Sequence, residues 1–377
     1  MTVNDRVARL RQESLETPVT LDHERAAIVT RVYREHAGRL SAPLLRATVL
    51  YELCRAKSLF IGADELIVGE RGPRPKCVST YPEVTCHTLD DLAVLDTRPR
   101  NPYRVSEETR RVFAAEVIPY WRGRTLREEL LARLDPAWHA LYHAGVFTEF
   151  LEQRAPGHTT LDGKLYARGL ADLQDDIDRA LAGLDPAAPD LVARQDQLGA
   201  MRLCCDAIML LAERHADLTE ALAASATPGR AAELRRIAGV CRRVPRHAPR
   251  TLHEALQAYW FIHLGTILEL NGWDAMNPGH LDQHLQPFFD DDVAAGRLDR
   301  ERAKELLGCF WIKFDHHPAP PKVGVTAEES STYNDFTNIN LGGLSPDGRD
   351  AVSELSHLLL EVMDEVLLEL ARNTSEF

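Results

Sequence analysis

Two histidine pairs, His139-x-x-x-His143 and His280-x-x-x-His284, stand at the spacing that places both imidazoles on one helix face. That spacing can hold zinc, but neither pair carries the glutamate of an HExxH motif. A metal site also needs a third ligand, and the sequence singles none out, so the bland alternative is surface or capping histidines. Three other stretches put reactive groups at chain breaks. In "FTEFLEQRAPGHTTLDG" (147–163) a helical run ends at Pro156-Gly157 and leaves His158 on a loop, as a helix-end cation or a titratable donor. In "LELNGWDAMNPGHLDQH" (268–284) Asp274 follows Trp273 in a turn, as a turn former or a pocket carboxylate. In "TAEESSTYNDFTNINLGG" (326–343) backbone donors and hydroxyls could hold a carboxylate or merely cap a turn.

The elements that must position these groups are mainly helices. Apolar periodicity predicts helices near 22–37, 42–57, 105–122, 164–183, 190–224, 229–242, 251–270, 298–314 and 350–370. Gly38 is placed to end the first, and Thr125-x-x-Glu128 and Thr251-x-x-Glu254 are capping-box signatures. Strand candidates are few and short: "ELIVG" (65–69), "KVGVT" (322–326) and "FTNINLGG" (336–343). Pro-rich runs at 71–76, 243–250 and 317–322 read as loops. The last run of helical sequence, "LLLEVMDEVLLEL", is apolar around most of its circumference and must be covered on most sides. We therefore expect it to be underpacked, or covered by a partner chain.

The length of 377 residues suits two to three domains or one large α/β body. A net charge of −13 disfavours nucleic acid and anionic membrane surfaces as partners. Seven scattered cysteines with no CxxC pair suit a reducing compartment. With no signal-peptide pattern and no apolar run of membrane-spanning length, the expected location is the cytoplasm.

Six blocks carry a resemblance: "ELIVGERG", "TYPEVTCHTLDDL", "GVFTEFLEQRAPGHT", "WDAMNPGHLDQHL", "APPKVGVTAEESSTYNDFTNINLGG" and "DGRDAVSELSHLLLEVMDE". Through them the chain resembles the glycyl radical enzymes, the family of pyruvate formate-lyase, and within it the branch that dehydrates hydroxyproline. The resemblance implies a helix-rich α/β fold, the N-terminal half of a ten-stranded barrel, with residues 1–377 as the N-terminal portion of the family's large domain. It implies radical elimination at a C–O bond, begun by a thiyl radical that a stored glycyl radical generates. No cofactor would be bound directly. The glycyl radical would be installed by an activating enzyme that uses S-adenosylmethionine and an iron–sulfur cluster.

By the same resemblance Phe150, His158, Asp274, Ser330 and Phe336 line the substrate pocket. His158 and Asp274 would take polar roles around the ring nitrogen and leaving hydroxyl, Ser330 would fix the carboxylate, and the two phenylalanines would pack on the ring. His280 and the Asp315-His316-His317 run depart from the family pattern. The family's Gly-Cys-x-Glu and Arg-Val-x-Gly motifs do not occur, and Cys309 in "LLGCFWIKF" reads as a core-facing helix residue. The chain is therefore expected to lack the C-terminal glycyl radical domain and to be inactive alone. Its expected partners are a small hydroxyproline-like substrate, a second-half polypeptide, the activating enzyme and, if complete, a second copy in a homodimer. Two alternatives stand beside this reading: a non-catalytic binding or oligomerisation module of the same fold, and a His-based metalloenzyme.

Overall fold

The computed structural model describes residues 4–147, 161–270, 278–324, 327 and 339–366. Helices α1 (Asp5–Glu16), α2 (Glu24–His36) and α3 (Ala42–Ala56) follow one another, with the two-residue strand β1 (Thr20–Leu21) after α1. The predicted pair at 22–37 and 42–57 is present. Gly38 sits just past α2 with φ +77°, a backbone conformation that glycine adopts without a Cβ penalty. Strands β2 (Cys77–Val78) and β3 (Arg104–Val105) flank β1 in a parallel three-stranded sheet, Thr20 facing Cys77 on one side and Arg104 on the other. Helix α4 (Leu89–Thr97) lies between β2 and β3, and its Thr88–Asp91 capping box is complete.

The single helix expected at 105–122 is instead α5 (Glu107–Val112), a π-helical turn (Phe113–Val117) and α6 (Ile118–Trp121). Pro119 explains the interruption, because it has no N–H to donate and crowds the carbonyl four residues back. After α7 (Leu126–Leu131) and α8 (Pro136–His143), the expected 164–183 helix is likewise broken into α9 (Lys164–Ala167) and α10 (Leu170–Ala182). The break falls at Gly169, where the chain runs against the backbone of Arg246 and His247.

The interior is built around α13 (Leu252–Glu269). Its flanks are α11 (Leu191–Ala223) and α12 (Pro228–Arg243) on one side and α14 (Leu281–Ala294), α15 (Arg300–Asp315) and α16 (Glu354–Val366) on the other. Helix α13 is buried on nearly every face because it serves two cores. Tyr259 and Trp260 belong to one, and Phe261, Leu264 and Ile267 to the other. A Cβ at Gly265 would stand 2.0 Å from Ile208, so this glycine sets the close approach of α13 to α11. At the start of α13 the expected capping box is only half formed. The Thr251 hydroxyl accepts from the Glu254 N–H, while the Glu254 carboxylate turns to the backbone and guanidinium of Arg250.

The segment 65–69 bends at Leu66 and Ile67 and pairs with no strand, contrary to the expectation for "ELIVG". The Gln257 side-chain amide substitutes for a neighbouring strand: it donates to Val68 O at 2.8 Å and accepts from Val68 N at 2.9 Å. The described part of "KVGVT" also forms no strand. "FTNINLGG" contributes β5 (Ile339–Asn340), parallel to β4 (Gly279–His280). Over its described length helix α16 is covered on one face by its own chain and meets the expectation of incomplete cover on the other. Leu355, Leu358, Leu359, Val362 and Val366 are buried against α1, α14 and α15 of the same chain, and Leu360 and Met363 are left about half exposed. Cys309 is buried in the core, as its sequence context implied.

Candidate functional site

Phe150, His158, Asp274, Ser330 and Phe336, the five residues predicted to line a pocket, lie outside the described residues. What the structure shows is how the three stretches that carry them are anchored. The chain enters the first at Phe147, whose ring packs on Trp138 and Tyr142. Tyr142 accepts a 2.6 Å hydrogen bond from Arg127, and both groups crowd Gly324, at the threshold of the third stretch. Ala327, beyond that threshold, has its carbonyl bound by Arg98 at 2.7 Å.

The second stretch begins where α13 ends, and its anchor is the buried Arg25. The last carbonyls of a helix have no partner within the helix. Here Arg25 Nε donates to Leu268 O at 2.8 Å, and the Tyr81 hydroxyl donates to Ile267 O. The same guanidinium bonds Thr80 O, pairs with Glu83 and lies 3.7 Å from the centre of the Tyr81 ring. Arg127 N in turn bonds Val84 O, so the entries to the second and first stretches are tied to one backbone segment, 80–84.

The exits converge as well. Gly279 and His280 of β4 pair with Ile339 and Asn340 of β5, and the His280 ring lies against Gly343. The buried Asp282 carboxylate accepts from the Gly342 N–H at 2.7 Å and from the Ser356 hydroxyl. One turn further along α14, His284 stacks on Tyr166 and faces Asp162 at 3.8 Å. His280 and His284 therefore position chain exits. His139 and His143 stack on each other on the surface of α8. Among the described residues neither pair acquires a third ligand.

A second polar centre, which sequence reasoning missed, lies behind these anchors. Lys313 Nζ donates to Glu65 Oε1 at 2.6 Å and to Glu70, and all three side chains are buried. His316 Nδ1 lies 2.9 Å from Glu70, and His317 stands between Glu70 and the ring of Trp260. Burial opposes ionising Glu70, yet Lys313 and His316 hold its carboxyl well below the usual range. Burial pushes the Glu65 carboxyl up, against the pull of Lys313. Burial lowers His317 to about 4 in spite of Glu70, and drives His263 down too, so both imidazoles are neutral. Glu65, Glu70 and His316 have the proximity of a metal ligand set, but the Lys313 ammonium already supplies the cation between the carboxylates. We read the cluster as structural.

The cluster fixes the start of the irregular strap 316–324, "HHPAPPKVG". Its carbonyls are taken one by one: His316 O by Lys76 N at 3.0 Å, Pro318 O by Arg71, Ala319 O by the Tyr103 hydroxyl at 2.8 Å, and Pro321 O by His87 at 3.1 Å. This strap delivers the chain to the third stretch.

Short parallel strands enclosed by helices define a helix-rich α/β scaffold. The chain belongs to the family described as pyruvate formate lyase-like, whose model matches residues 1–371, and it has the helix-rich α/β fold of glycyl radical enzymes. It is 45% identical over 366 residues to trans-4-hydroxy-L-proline dehydratase of Clostridioides difficile, covering 97% of this chain and 46% of that protein. The crystal structure of the Clostridioides difficile hydroxyproline dehydratase with its substrate bound superposes with a TM-score of 0.92, covering 98% of this chain and 47% of that one. A glycyl radical enzyme from Archaeoglobus fulgidus superposes with a TM-score of 0.86 at 27% identity, covering 97% and 47%. The chain thus spans about half the length of the relatives it matches.

Proposed function

We propose that residues 1–377 form the substrate-positioning portion of a glycyl radical dehydratase acting on trans-4-hydroxy-L-proline or a close analogue. The observation that carries this reading is the 45% identity and 0.92 TM-score to hydroxyproline dehydratase across nearly the whole chain. The pocket residues are Phe150, His158, Asp274, Ser330 and Phe336, with His158 and Asp274 as polar partners of the ring nitrogen and leaving hydroxyl. The anchored ends described above support this assignment, because a precise site needs its loops held from both sides.

In this reading the thiyl cysteine and the radical glycine come from sequence outside residues 1–377. The seven cysteines of the chain support that division, because none stands in a Gly-Cys-x-Glu context. The radical would be installed by an S-adenosylmethionine-dependent iron–sulfur activating enzyme. The test is anaerobic co-expression of this chain with the C-terminal half of the Clostridioides difficile dehydratase and an activating enzyme. The expected result is a glycyl radical signal by electron paramagnetic resonance, and turnover of hydroxyproline that depends on His158 and Asp274. Turnover by the 377-residue chain alone would refute the division of labour, and indifference to both substitutions would refute the pocket assignment.

A further inference from the structure

Side chains from the first turns of α14 reach across to one short segment of chain. Asp282, which is fully buried, accepts from the Gly342 N–H at 2.7 Å and from the Ser356 hydroxyl. Gln283, the next residue, donates its side-chain amide to Gly342 O at 2.7 Å. Both backbone polar groups of Gly342 are therefore held by consecutive side chains of another element. Gln286, one turn further on, accepts from Leu355 N at 3.1 Å, at the start of α16. Position 342 suits glycine: its φ is +65°, and a Cβ there would stand 2.9 Å from Val352. Just upstream, β4 and β5 pair Gly279 with Ile339 and His280 with Asn340. Strands of two residues do not hold a register by themselves, and the clamp on Gly342 supplies the missing constraint.

We propose that Asp282 and Gln283 are positioning residues that set the spacing between the stretch carrying Asp274 and the stretch carrying Ser330 and Phe336. This rests on the pocket assignment of the proposed function. There Asp274 serves the leaving end of the substrate and Ser330 its carboxylate, so two separate pieces of chain hold one small molecule at both ends. Asp274 precedes β4, and Ser330 and Phe336 precede β5, each by fewer than ten residues, so a slip between the strands passes to the pocket. A misplacement of about 1 Å is enough to cost a bound substrate its alignment. Neither Asp282 nor Gln283 touches substrate in this scheme.

Two measurements test the clamp. The first is amide hydrogen exchange on the 377-residue chain, comparing the parent with Asp282→Ala and Gln283→Ala. We expect exchange at 339–342 and at 279–281 to quicken together by about tenfold, with α11 and α13 unchanged. Faster exchange at one exit only, or at neither, would overturn the coupling. Gln283 is half-buried, so its variant keeps the test decisive where Asp282→Ala unfolds the chain. The second measurement uses the assembly with the C-terminal half of the Clostridioides difficile dehydratase. Both variants should keep the parent's glycyl radical signal and raise KM for hydroxyproline about tenfold, with a smaller change in kcat. Asp282→Asn retains an oxygen that can accept from Gly342 and Ser356, and should bring KM back toward the parent. An unchanged KM in both variants, or a loss that Asp282→Asn does not relieve, would overturn the positioning role. A parent assembly that carries the radical yet does not turn over hydroxyproline would refute the pocket reading instead, and hydrogen exchange would still decide the clamp.

Discussion

Two lengths of irregular backbone, 65–70 and 316–324, cross the interior without entering a sheet, and beyond the cluster they share, different chemistry holds each. The first is gripped by charge and by a side-chain amide: Lys313 spans Glu65 and Glu70, Gln257 pairs both polar atoms of Val68, and Trp260 donates to Gly69 O at 2.8 Å. Past His317 the second is held mainly through its carbonyls, which Arg71, the Tyr103 hydroxyl and His87 take. A charged grip concentrates the cost of failure at one residue, since a buried ion that loses its partner cannot recover its hydration. A row of separate hydrogen bonds spreads that cost.

The comparison can be broken most severely at Lys313. Lys313→Met should leave two buried carboxylates without their cation and cost about 3–5 kcal/mol in chemical denaturation. Removing the charges together, as Glu65→Gln, Glu70→Gln and Lys313→Met, should recover most of that loss, and a triple variant as unstable as the single one would show that the cluster is more than an ion pair. Gln257→Leu should cost about 2–4 kcal/mol by stranding the N–H and carbonyl of Val68. Acid comes next. His317, His263 and His215 are neutral when buried and bind protons when unfolded, His317 at about 4 and His215 at about 3 against an ordinary 6.5. Stability should therefore fall as pH drops from 6.5 toward 4, read as a declining melting temperature, and His215→Leu should flatten part of that slope. Asp22, raised to about 6 by burial and by Glu24, holds a proton in the folded state and opposes the trend below pH 6. The smallest effect belongs to the strap: Tyr103→Phe should cost about 1 kcal/mol, a single neutral hydrogen bond.

The helices were legible because their signals are local. Periodicity placed α2, α3, α11, α12, α13 and α15 within a residue or two, and Thr125 announced α7. The strands were not, because pairs of two residues leave no alternation to read, and the partner of Val68 is a glutamine 189 positions away. The ion cluster was missed for the same reason. Its one local trace is Lys313 within "CFWIKFD" and Glu65 and Glu70 around "LIVG", charges set among apolar residues. The apolar positions of α16 were weighed without α1, which lies more than 300 residues earlier and, with α14 and α15, covers one face of its described length.

The proline strap has one more consequence. Backbone outside a sheet can be a template on which another strand adds, whether from a second molecule or from a misfolded copy. Between residues 316 and 324, Pro318, Pro320 and Pro321 carry no N–H to offer such a strand, and the carbonyls of His316, Pro318, Ala319 and Pro321 are occupied from within. The stretch that leads the chain on from the ion cluster is thereby closed to strand pairing.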